Sequence, residues 1–255
     1  MGIKENLLEV RANIASAAAA AGRDGKDILL IGATKMNDAA RVREAIAAGL
    51  TACGENRVQE MLKKEREGAY DGAELHFIGH LQSNKVKQVV GLAKLIHGVD
   101  SAELMAAVSA EALKKGIVQD ILLEINVGHE ATKSGFDADM LPAALEKASE
   151  LPGIRVRGLM AIPPVCSDGT ENLPYFKLMH KLFIDNSKKK YDNVVMDFMS
   201  MGMSGDYQAA IACGANMVRV GTAIFGRRIY PEKKNCRVRV RPSICSLEDR
   251  HGIHG

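Results

Sequence analysis

The sequence predicts an α/β protein, a single (β/α)8 TIM-type barrel preceded by one extra helix. Three observations predict it. Short apolar runs rich in branched residues alternate with helical patterns about eight times, the rhythm of parallel strands joined by crossover helices. Eight such units fit in roughly 230 residues, close to the usual size of this barrel. No Pro-, Gly- or Ser-rich linker divides the chain of 255 residues, so one domain spans 1–230. A doubly wound open sheet is the competing architecture. No G-x-G-x-x-G follows the first strand, which counts against its dinucleotide-binding version.

The elements follow in order. Residues 4–22 carry Leu7, Leu8, Ile14 and a run of alanines ended by Gly22, a helix. Ile28 to Ala33 is too short and too branched for a helix and reads as a buried strand. A helix over 39–48 is capped by Asp38 and closed by Gly49. Then come a strand at 50–54, a helix near 57–67, a strand at 74–79, a helix near 84–93 and a strand at 95–99. Ser101 caps a helix to Lys115 whose inner face is Leu104, Met105, Val108 and Ala112. Residues 118–127 read as the longest strand, followed by a helix over 138–150. A strand from Ile154 to Ile162 stops at Pro163-Pro164. A helix at 171–188, a strand at 194–199, a helix at 206–213, a strand at 216–220 and a short helix from 222 complete the pattern. The basic stretch 231–255 has no such periodicity and reads as a mobile C-terminal extension.

Composition narrows the function. Apolar residues are 47% and charged residues 25%, as in ordinary globular domains. Thirty-four basic against 31 acidic side chains leave +3, too balanced for nucleic acid or an anionic membrane as the main partner. No run approaches the ~20 apolar residues of a membrane span. The opening MGIKENLLEVR is charged too early for a signal peptide. Cys53, Cys166, Cys213, Cys236 and Cys245 are scattered without a C-x-x-C pair, which argues against disulfides and structural zinc and for a cytoplasmic location.

In such a barrel, chemistry gathers where the strands end. The first strand delivers Thr34 and Lys35, and a lysine held over the barrel mouth can form a Schiff base with an aldehyde. The last two strands run into the glycine-containing turns MGMSGDY (201–207) and RVGTAIFG (219–226). Close backbone approach and amides at a helix start suit a phosphate there, with Ser204 and Thr222 adding hydroxyls. Asp206 competes with an anion unless it points away. In the eighth strand, Val218 and Val220 share the helix-facing side, which directs Arg219 into the barrel, where it needs an accepting partner. His76, His80 and His97 lack the H-E-x-x-H pattern, so no metal is expected, and Cys53 reads as a buried structural thiol rather than a nucleophile.

These segments together resemble the pyridoxal phosphate homeostasis protein family, which is similar to the N-terminal barrel of alanine racemase. The resemblance rests on GATK (32–35), GENRVQE (54–60), HFIGHLQSNK (76–85), INVGHEATKSGF (125–136), GLMAI (158–162), SMGMSGDY (200–207) and VRVGTAIFG (218–226). It implies pyridoxal 5'-phosphate (PLP) as cofactor, held as a Schiff base to Lys35. It also implies phosphate contacts from Ser204, Gly205, Gly221 and Thr222, Arg219 at the ring nitrogen, and Asn56 and Met201 near the cofactor. The family commonly has serine before its lysine, threonine after it and proline three residues on; here these are Thr34, Met36 and Asp38.

The function implied is storage, carriage or buffering of PLP in its cellular homeostasis, by a monomer with PLP-dependent apo-enzymes as recipients of the cofactor and with no catalytic residues. The alternative is a PLP-dependent racemase or decarboxylase of amino acids. Two-base racemisation needs a group on each face of the substrate carbon, and alanine racemase draws its second from a β domain that the ~30 residues after 226 are too few to form. A cofactor-free aldolase using Lys35 is a third reading.

Overall fold

The computed structural model describes residues 2–128, 134–164, 169–188 and 191–226, so the expected extension at 231–255 lies outside the described residues. The eight strands are β1 (Leu29–Ala33), β2 (Ala52–Glu55), β3 (Glu74–Phe77), β4 (Leu95–Val99), β5 (Gln119–Glu124), β6 (Ile154–Met160), β7 (Val194–Ser200) and β8 (Met217–Val220). All pair in parallel and in chain order, and the barrel closes because β1 also pairs with β8, Leu29 opposite Met217 through Gly32 opposite Val220. Closure excludes the open-sheet alternative.

The helices are α1 (Ile3–Ala20), α2 (Ala39–Ala47), α3 (Val58–Arg66), α4 (Val86–Val89), α5 (Ala102–Lys114), α6 (Leu141–Ser149), α7 (Leu173–Ser187), α8 (Tyr207–Ala212) and α9 (Thr222–Phe225). The extra helix α1 buries Ile3, Leu7, Val10, Ile14 and Ala18, one stripe at three- and four-residue steps, and packs against α8 and α9. Both predicted caps form: Asp38 accepts from the Arg41 amide at 2.9 Å and Ser101 from the Leu104 amide at 3.2 Å.

Alternation along the strands sorts the apolar residues into two layers. Ile31, Ala33, Ala52, Ile78, Leu95, Leu122, Met160 and Met217 fill the barrel interior. Leu30, Cys53, Phe77, Ile96, Ile121, Leu159, Val218 and Val220 face outward against helix residues such as Val42, Met61, Met105, Leu145 and Phe176. Each of these large side chains contributes roughly 1.5–3 kcal/mol on burial. The N-terminal end of the barrel is filled by charge. Asp120 on β5 accepts from Arg155 at 2.7 and 3.0 Å and from Arg157 at 2.8 Å, and Arg157 also pairs with Asp197 at 2.6 Å.

Two expected elements are shorter than the pattern suggests. β5 stops at Glu124, so β6 and β7 are the longest strands. Its expected last residues peel away to pair with Phe136, whose carbonyl accepts from the Asn126 amide at 3.0 Å. The helix expected over 84–93 is a 3-10 turn, Ser83–Lys85, followed by the single turn α4. Val90 leaves the helical region and Gly91 takes a φ of +79°, a left-handed value that glycine adopts without steric cost. Val86, Val89, Val90 and Ala93 are nevertheless all buried, as the apolar pattern requires.

Candidate functional site

The loop that carries Lys35 is anchored from below by a buried polar cluster. Thr34 directly follows β1, with its amide on the Gly54 carbonyl at 3.0 Å and its hydroxyl donating to Glu55 Oε1 at 2.6 Å. Lys64, on α3, reaches under the loop and donates to the Thr34 carbonyl at 2.8 Å and to Glu55 and Glu60 at 2.7 Å each. Glu60 in turn accepts from the Met36 amide at 2.5 Å. Met36 has a φ of +63°, left-handed backbone that a side chain with a Cβ disfavours. The flanking hydrogen bonds hold that turn, and Lys35 sits at its start. Burial pushes the Glu55 carboxyl up and the adjacent Lys64 ammonium opposes the shift.

The opposite wall is made by the turns after β7 and β8. Ser204 Oγ accepts from the Gly221 amide at 3.1 Å and the Ala223 amide at 3.4 Å, tying the two turns together. Sequence reasoning assigned Ser204 only a donor role; here its oxygen caps the first turn of α9 while its proton stays available. Among the described residues, the amides of Ser204, Gly205 and Thr222 have no acceptor. Asp206 points away: it accepts from the Met203 amide at 2.6 Å and from Asn172 at 2.8 Å.

Arg219 projects inward as the alternation requires and is buried. Its guanidinium donates to Ser200 Oγ at 2.6 Å and to the Ala161 carbonyl at 2.9 Å, two neutral acceptors. Burial pulls it down to about 10, Glu124 and Asp206 opposing, so it stays charged at neutral pH.

Seven of the eight residues named from sequence line one cavity of about 220 Å3: Lys35, Asn56, Ser204, Gly205, Arg219, Gly221 and Thr222. Met201 is the exception. It is buried in the outer layer between barrel and helices, and Met203, two residues on, lines the cavity instead. The two methionines lie in a turn, where strand alternation does not say which one faces the mouth. A second cavity of about 420 Å3 adjoins on the Lys35, Gly221 and Thr222 side, and a third of about 300 Å3 on the Asn56, Ile78 and Ile162 side.

The other candidates separate cleanly. Cys53 is buried in the outer layer and its thiol is pushed up to about 12 by burial, which makes it unreactive. His76 and His80 part company: His80 is exposed and pairs with Asp100 at 2.8 Å, whereas His76 lies inside the barrel 3.0 Å from His97. Among the described residues no three His, Cys, Asp or Glu side chains converge as a metal site. Sequence reasoning missed Glu124, His97 and Ser200 as parts of the interior, and Lys64 as the support beneath Lys35. Alternation marks His76 as inward, in register with Ile78, but nothing local marks Lys64, whose role depends on α3 folding back under the loop. No helix among the described residues is long and apolar enough to cross a membrane.

Comparison with known proteins adds identity to this geometry. The family described as alanine racemase, N-terminal domain, matches residues 6–229. The pyridoxal phosphate homeostasis protein of Aquifex aeolicus is 42% identical over 90% of this chain and all of its own length. That of Escherichia coli is 38% identical over 91% of this chain and 99% of its own. The solved structure of PipY from Synechococcus elongatus with PLP bound is 32% identical and has a TM-score of 0.76 over 88% of this chain and 100% of that one.

Proposed function

The chain belongs to the alanine racemase N-terminal domain family and, within it, to the pyridoxal phosphate homeostasis proteins, and on that premise we propose that it binds PLP at the C-terminal mouth of its barrel. Its role on this reading is to store, carry or buffer the cofactor in the cytoplasm, as a monomer, with PLP-dependent apo-enzymes as recipients. The observation that carries the reading is the convergence of Lys35, Arg219, Ser204 and Thr222 on one cavity.

The donor set fits the group. PLP supplies an aldehyde that condenses with an amine, with loss of water, and Lys35 is the amine at this cavity. Amides of Ser204, Gly205 and Thr222 with no acceptor among the described residues, together with two hydroxyls, suit a phosphate dianion. Asn56 Oδ1 is buried with no hydrogen-bond partner among the described residues, an acceptor left for a ligand. Arg219 uses two of its five N–H groups on neutral acceptors, which leaves donors and its full charge for an accepting ring nitrogen.

That last feature argues for binding without turnover. With PLP bound, the Arg219 guanidinium would donate to the ring nitrogen and would keep its proton at neutral pH. The ring is then a weaker electron sink than one facing a carboxylate, which limits carbanion chemistry. The test is absorption spectroscopy of the purified chain with PLP, followed by a screen of amino acids for racemised, keto-acid and amine products. A visible band lost in Lys35→Ala, with product formation at the no-protein baseline, is expected. Saturable turnover dependent on Lys35 would replace this reading with the racemase or decarboxylase one.

A further inference from the structure

A file of polar groups runs through the barrel interior from the cavity to the N-terminal end. It begins at Arg219, whose Nη1 donates to Ser200 Oγ at 2.6 Å. Ser200 Oγ lies 3.1 Å from His97 Nδ1, His97 Nε2 lies 3.0 Å from His76 Nδ1, and His76 Nε2 lies 3.4 Å from Glu74 Oε2. Ser200, His97 and His76 are all buried. Glu74, the first residue of β3, is half exposed at the opposite, N-terminal end.

The chemistry of the ends fixes the direction of the file. A carboxylate can only accept, so His76 presents Nε2–H to Glu74 and an unprotonated Nδ1 to His97. His97 must then donate from Nε2 and accept at Nδ1. Ser200 supplies that proton from its hydroxyl and receives Arg219 on its oxygen. Every donor from Arg219 to Glu74 meets one acceptor, both imidazoles are neutral, and each holds the same tautomer. The reversed file would point the lone pair of His76 at a carboxylate. Lys94 and Glu74 are the charged groups near His76, and Arg219 is the cation facing His97.

We propose that Ser200, His97, His76 and Glu74 form a one-directional hydrogen-bond relay that positions Arg219 at the cavity, with the Glu74 carboxylate setting its direction from the far end of the barrel. These are positioning residues. The relay holds a buried arginine through neutral acceptors, so Glu124 and Asp206 act on its charge only through space. The part of this inference that concerns the bound cofactor rests on the PLP reading; the tautomers do not.

The test is 15N NMR of histidine-labelled full-length protein, with and without PLP. Both His76 and His97 are expected as neutral Nε2–H tautomers at pH 7, and Glu74→Ala, a change at the exposed end, is expected to release His76 into a mixture. An imidazolium, an Nδ1–H tautomer on His97, or no response to Glu74→Ala would overturn the relay. With PLP, Ser200→Ala is expected to weaken binding on the order of 10-fold, the cost of one hydrogen bond to a charged group, and to shift the pH profile of the visible band. Ser200→Thr, which keeps the hydroxyl, is expected to restore both. An unchanged affinity and profile in Ser200→Ala would refute the positioning role. Should Ser200→Ala not fold, Glu74→Ala carries the same test with a smaller shift. Wild-type protein that fails to bind PLP would sink the cofactor reading while the tautomers still decide the relay.

Discussion

At the N-terminal end of the barrel, Arg155 and Arg157 face the carboxylates of Asp120 and Asp197; at the C-terminal end, Arg219 faces a hydroxyl and a carbonyl. The same residue type sits at the two ends of one barrel in opposite states, Arg155 exposed and Arg219 buried. Hydrogen bonding to Asp120 pushes the Arg155 guanidinium up, whereas burial pulls that of Arg219 down. The lower arginines are neutralised on site and close the end of the barrel. The upper one has no carboxylate hydrogen-bonded to it, only Glu124 and Asp206 at longer range, and it sits beside a cavity, an arrangement that suits an incoming acceptor.

The largest expected effect is on ligand choice. Removing the phosphate deletes several charge-assisted hydrogen bonds at the β7 and β8 turns, each worth roughly 1.5–3 kcal/mol. Pyridoxal should therefore bind at least ~100-fold more weakly than PLP, and Ser204→Ala with Thr222→Ala should narrow the gap; calorimetry of both vitamers measures it. Next in size, Asp120→Ala leaves Arg155 and Arg157 without their shared partner. It should cost about 2 kcal/mol in denaturant unfolding, reduced from the fully buried case by the exposure of the arginines, with PLP affinity unchanged. Arg219→Met should do the converse. Stability should stay within ~1 kcal/mol of the parent while PLP binds about 10-fold more weakly. A large stability loss in Arg219→Met would erase the contrast between the two ends.

The smallest effect is in pH. Burial holds His97 and His76 below 6.5 in the folded protein, so both stay neutral where the unfolded chain takes up protons. Their contribution is fully present above the unfolded value and is lost as pH falls below 6.5, by at most ~1.4 kcal/mol per pH unit for each. Glu55 and Glu124, raised by burial above 4.5, work in the opposite sense as pH falls toward 4.5. The comparison is therefore with His97→Asn, whose stability curve should fall less steeply on acidification than that of the parent.

Much of this was legible in the sequence for reasons specific to parallel barrels. Alternation placed Val218, Val220 and Arg219 on the correct faces, and strand ends delivered Lys35 and the two glycine turns to one mouth. Helix boundaries followed from caps such as Asp38 and Ser101. What escaped was carried by contacts between residues far apart in the chain. The Lys64 hydrogen bond to Thr34, beneath Lys35, spans 30 positions, and Ser200 meets His97 across 103. The end of β5 was misjudged because Ile125–Val127 is as apolar and branched as the strand it continues, and only the pairing with Phe136 takes it out of the sheet. Met201 and Met203 are chemically alike, and the turn geometry alone distinguishes them.

On the proposed function, Lys35 is the covalent anchor of PLP in the cavity at the C-terminal mouth. Borohydride reduction of the PLP-loaded protein, proteolysis and mass spectrometry locate the anchor directly. The expected result is one phosphopyridoxyl adduct, on Lys35, absent from Lys35→Ala. A reduced adduct on another lysine, or none in protein that binds PLP, would contradict it.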